Sequence, residues 1–162
     1  MGVCGFYTRI SKEIVEQFQN GEIHVFDLLE VDDESDCQLD IYKYWHIIDF
    51  ILVGDAQENA ANNPLSKVVL GGGIPVGDED IAALLKTPEE ISKVNQALAT
   101  VSEKSIREGF SLAEMQKHNI YLADVFNNED EVVRYVYGTL ELIIRFFKEA
   151  EQNKQWILLF IS

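Results

Sequence analysis

The sequence predicts an α+β domain. Apolar, β-prone stretches stand near both ends of the chain, and amphipathic segments with matched helix caps fill most of the middle. No repeat with a period of roughly 20–50 residues is visible, which argues against a solenoid. Together these features predict a small mixed sheet of N-terminal, middle and C-terminal strands, wrapped by several helices. A chain of 162 residues with 47% hydrophobic and 25% charged side chains suits one globular domain over residues 1–162 with a full core.

Residues 2–10 hold Val3, Phe6, Tyr7, Thr8 and Ile10, a β-prone set that predicts the first strand. Ser11 caps a short helix in which Ile14, Val15 and Phe18 share one face. A second short helix carries Ile23, Phe26 and Leu29. Residues 40–54 predict one buried helix, opened by Asp40 as N-cap and stopped by Gly54. A polar loop follows, then a short strand over residues 66–70 and a sharp connection from Gly71 to Gly77. That glycine run matches neither GxGxxG nor a P-loop, and Asp78, Glu79 and Asp80 beside it would repel phosphate.

Thr87, Pro88 and Glu90 predict a helix start with a capping box. Ser111 begins another short helix by the same logic. Asn128 opens the longest helix, with Glu129, Asp130 and Glu131 placed as the helix dipole prefers. Gly138 interrupts that helix, which suits close packing of a neighbour. Residues 156–161 make the C-terminal strand.

Charge is the unusual property: 13 basic against 28 acidic residues leave a net −15. The acidity is spread, −8 over residues 1–54 and −7 over residues 55–162. Such a field disfavours nucleic acid and anionic membrane, which depend on lysine and arginine meeting phosphates. It attracts a basic protein and speeds encounter with one. The plain alternative is acidity kept for solubility.

From Asp27 to Asp40 there are seven acids and no base, so Asp32, Asp33, Glu34 and Asp36 are the candidate partner-binding residues. EF-hand spacing fails there. Counted from Asp32, the glycine position holds Cys37 and the bidentate glutamate position holds Lys43. No metal site and no cofactor are expected. Cys4 and Cys37 form no CxxC pair, no secretory signal is visible, and the apolar runs are too short to span a membrane. These features fit a cytoplasmic protein; they leave the oligomeric state open.

On the predicted Asp40–Gly54 helix, Tyr42, His46 and Asp49 fall on one side by helical spacing. A carboxylate that orients a histidine is a familiar general-base arrangement, and Tyr7 could complete such a pocket. The bland alternative is a core histidine that simply satisfies its ring nitrogens. No G-x-S-x-G or HExxH pattern supplies a nucleophile or a zinc site.

The chain resembles the YfbM-like bacterial family of unknown function. The likeness rests on Met1-Gly-Val-Cys-Gly-Phe-Tyr7, Lys43-x-Trp45-His46 running to Gly54, and Val69-Leu-Gly-Gly72. It extends to Thr87-Pro-Glu-Glu90, Ile120-Tyr121 and Phe146-Phe-Lys-Glu-Ala150. The resemblance implies an α+β fold and brings no reaction or cofactor. Tyr42 stands where the family tends to carry aspartate, Asp49 where a second histidine often stands, and Gly77-Asp-Glu-Asp-Ile81 replaces a Gly-Tyr-Gly-Pro-x-Arg element. An activity resting on those features would be lost or altered here. From the net charge of −15 and the acidic Asp27–Asp40 stretch, the expected function is an acidic protein-binding module for a basic partner, as in immunity or antitoxin-like inhibitors. The alternative is a small enzyme with a His46-centred pocket.

Overall fold

The two ends of the chain meet. In the computed structural model, β1 (Gly5–Ile10) pairs antiparallel along its length with β5 (Trp156–Ile161), from Gly5 opposite Ile161 to Ile10 opposite Trp156. The structure describes residues 2–29, 37–54, 62–77 and 82–162. Among these, β2 (Gln38–Tyr42), β3 (Ile74–Pro75) and β4 (Ala82–Lys86) complete one sheet in the order β2-β1-β5-β4-β3. All four strand pairs are antiparallel, so the parallel pairing implied by a mixed sheet does not occur among the described strands.

Strand alternation sends side chains to two faces. Tyr7, Ile157 and Leu159 point into the main core, built with α3 (Trp45–Val53), α4 (Pro88–Leu98) and α7 (Glu129–Gln152). Short helices α5 (Glu103–Gly109) and α6 (Leu112–Lys117) close that core through Ile106, Leu112 and Met115. Ile10, Ala83, Leu85 and Leu158 point the other way, beneath Val15 of α1 (Lys12–Gln19) and Val25 and Leu28 of α2 (Val25–Leu29). The predicted α+β class is observed, with helices on both faces of the sheet.

Three local expectations are corrected. Asp40 does not cap a helix, because residues 38–42 pair with β1 and bury Ile41 completely. The Asp40 carboxylate accepts the Tyr42 N–H at 2.6 Å, a local turn that competes with helix formation. Tyr42 then takes φ +51, and the helix starts only at Trp45. Residues 66–70 are no strand: Asn63 accepts the Leu65 N–H at 3.0 Å, and Pro64–Lys67 coil as a 3-10 turn. The capping box at α4 is half formed. Thr87 Oγ1 accepts the Glu90 N–H at 3.2 Å, but the Glu90 carboxylate turns away to the Gly73 N–H, 3.0 Å from each oxygen.

Candidate functional site

Two polar regions stand out. The first surrounds the glycine turn after the 3-10 segment and is pinned by charges from three elements. Asp49 of α3 accepts the Leu70 N–H at 3.1 Å. Lys86, at the end of β4 and fully buried, donates to the carbonyl oxygens of Val69 at 3.3 Å and Gly71 at 3.0 Å. Glu90 of α4 holds Gly73. Tyr7, also fully buried, donates to the Val68 carbonyl at 2.7 Å. Backbone groups of Val68, Val69, Leu70, Gly71 and Gly73 are thus satisfied by side chains, as a turn packed into a core requires.

Burial sets the charge states here. It holds Lys86 down to about 8, against the favourable fields of Glu90 and Asp49. It raises the Asp49 carboxyl, opposed by the Leu70 N–H, His46 and Lys86. Burial, then the charge of Asp49, pushes the Tyr7 hydroxyl well above its usual value. His46 is lowered by burial, with Asp49 pulling the other way.

His46 and Asp49 do share α3, as the sequence predicts, but Tyr42 lies in β2 with its side chain exposed. His46 Nδ1 accepts the Tyr121 N–H at 3.1 Å, so the neutral ring carries its proton on Nε2. No described residue bonds Nε2. The ring stacks on Trp45 at 5.0 Å between centroids, and Trp45 stacks in turn near Tyr121 at 6.1 Å. Lys86 and Glu90 were not anticipated. The signal for Lys86 was a single lysine at the inward position of an apolar strand.

The second region is a cavity of about 610 Å3 between the α1–α2 connection and the chain after β3. Phe18, Ile23, Val25 and Val76 form its apolar wall, and Glu22, His24 and Asp27 its polar rim. Among the described residues no lysine or arginine lines it. Asp27 accepts the His24 N–H at 2.5 Å, which fixes the carboxylate at the start of α2. Phe26, 52% exposed, stacks on the His24 ring at 5.5 Å. Asp27 opens the acidic stretch read from the sequence; Asp32, Asp33, Glu34 and Asp36 lie outside the described residues. Among the described residues no three metal-ligating side chains converge, and no helix is long and apolar enough to cross a membrane.

A family model described as a domain of unknown function, DUF1877, matches residues 1–160. The chain belongs to the DUF1877 family. Protein YfbM of Escherichia coli (strain K12) is 28% identical over 133 residues, spanning 81% of this chain and 80% of that protein. The crystal structure of YfbM from Escherichia coli, titled a protein of unknown function, matches with a TM-score of 0.79. It covers 98% of this chain and 99% of that one at 23% identity, a likeness that shows the fold alone.

In this DUF1877 protein the sequence pieces that carry the YfbM-like resemblance meet in space. A Cβ at Gly2 would come within 2.5 Å of Tyr121 Oη and 2.7 Å of Lys43 Nζ. Trp45 Nε1 donates to the Val3 carbonyl at 3.1 Å. The N-terminal segment, the Trp45–His46 turn and Tyr121 therefore form one packed unit.

Proposed function

We propose that this DUF1877 protein is an acidic binding module that captures a basic protein partner, in the manner of an immunity or antitoxin-like inhibitor. The observation that carries this reading is the 610 Å3 cavity, rimmed by Glu22 and Asp27 with no lysine or arginine among its described lining residues, on a chain of net charge −15. Its apolar wall suits the aliphatic stem of a lysine or arginine, while the rim carboxylates meet the cationic head. Immobilised protein should retain cationic proteins from the native host's extract at low ionic strength. It should release them as the screening length shrinks from ~10 Å at 0.1 M salt to ~3 Å at 1 M. Recovery of no cationic protein at low salt would overturn the proposal.

The enzyme reading rests on one feature, the fixed Nε2–H tautomer of His46. The cavity described above is lined by other residues, which keeps this reading second. It predicts that His46→Gln abolishes a turnover that Glu22→Gln leaves intact.

A further inference from the structure

Gly138 lies near the middle of the 24-residue helix α7, and a Cβ built there meets nothing within 4 Å. Glycine disfavours a helix interior relative to alanine, and no packing among the described residues asks for it here. The face around it is uncovered. Tyr135 is 56% and Leu142 45% exposed, and Arg134, Glu141 and Arg145 are exposed with them. None of these three charges joins an ion pair of the described residues. The face is also close to electrically neutral. From Glu131 to Glu149 three acids are matched by three bases, in a chain of net −15. A near-neutral face adds little to the repulsion between two copies of an acidic chain.

We propose that α7 is the interface of a homodimer, packed antiparallel on α7 of a second copy with the two-fold axis at Gly138. The residues are arranged for it. Glu131 stands seven positions before Gly138 and Arg145 seven after; Arg134 and Tyr135 precede it by four and three, and Glu141 and Leu142 follow by three and four. At about 100° per residue, Tyr135 and Leu142 lie along one edge of the face, and Arg134 and Glu141 along the other. A two-fold axis in the contact plane keeps each edge on its own side while reversing the helix direction. Tyr135 then meets Leu142 of the second copy, Arg134 meets its Glu141, and Glu131 meets its Arg145. These registers agree to about one residue, roughly 1.5 Å along the axis. Each contact is made twice, as an isologous interface requires. Gly138 faces itself at the crossing, where a missing side chain lets the backbones approach.

Sedimentation at near-physiological salt, from low micromolar to near-millimolar protein, tests this. The wild-type mass should climb from 18.4 kDa toward twice that value with concentration. Gly138→Leu, a better helix former whose fold circular dichroism would check, should stay at 18.4 kDa, as should Arg134→Glu. The double exchange Arg134→Glu with Glu141→Arg should restore the dimer. A wild type that stays monomeric throughout overturns the proposal, and so does a dimer that survives either single substitution. Failure of the double exchange to restore it overturns the register.

Discussion

Lys86 Nζ reaches the Gly71 carbonyl oxygen across 3.0 Å from a side chain with no exposed surface. A buried ammonium bonded to backbone carbonyls fixes the glycine turn, and it places a titrating group inside the core. Burial holds Lys86 at about 8, against a usual value of 10.5. Below about 8 both native and unfolded chains carry the proton, and the cost of burying the charge is fully present. Between about 8 and 10.5 the unfolded chain keeps a proton that the native chain has released, so stability rises with pH by about 3 kcal/mol. Urea midpoints collected across that window should show the rise in wild type and not in Lys86→Met. Parallel curves for the two proteins would refute this role of Lys86.

His46 gives a second titration with a spectroscopic signature. Its native value lies below 6.5 because of burial, so the native ring releases its proton at lower pH than the unfolded one. The stability this contributes is present above 6.5 and lost as pH falls through the lower native value. Nitrogen-detected NMR should find Nδ1 unprotonated near neutral pH and a midpoint under 6.5. His46→Ala should cost about 1–2 kcal/mol by stranding the Tyr121 N–H. A protonated Nδ1 in the neutral ring would contradict the Tyr121 bond.

Two glycines with left-handed backbone should respond differently to alanine. Gly72 has φ +65, and a Cβ there would overlap Glu90 Oε1, whose carboxylate holds the Gly73 N–H. Gly21 has φ +74 with nothing within 4 Å. Gly21→Ala should therefore cost about 1–2 kcal/mol, the backbone term alone. Gly72→Ala should cost more, roughly 3 kcal/mol, because the Glu90 clamp must also move. Equal losses in chemical denaturation would show that the clamp is unimportant.

Most of the helices were legible because their signals are local. Ser11, Thr87, Ser111 and Asn128 each accept the backbone N–H three residues on, as their cap positions predict. The terminal strands were legible from β-prone apolar runs. Strand β4 was not, since Ala-Ala-Leu-Leu-Lys carries helix-forming residues and becomes a strand only by pairing with β5 and β3. The Asp40–Gly54 reading failed at its start for the same reason: Ile41 is needed opposite β1, and that requirement belongs to the fold rather than to the segment.

The site was legible only in part. His46 and Asp49 fall together by helical spacing, but their partners come from distant stretches: Leu70 for Asp49 and Tyr121 for His46. Glu90 looked like one half of a capping box, and its carboxylate instead serves a turn 17 residues earlier. Such long-range pairings leave no periodic trace in one sequence. Charge did leave one. Asp27, the first acid of the stretch read from the sequence, lines the carboxylate-rimmed cavity.

The most direct measurement concerns that cavity. The cationic host protein most enriched on the immobilised chain at low salt should be purified and its affinity measured by calorimetry. Wild type should be compared with a Glu22→Lys, Asp27→Asn double variant of verified fold. Both substituted positions are exposed on the cavity rim. The variant should bind at least tenfold more weakly, about 1.4 kcal/mol, and the wild-type affinity should fall with added salt. Equal affinities for the two proteins would contradict the proposed role of the cavity.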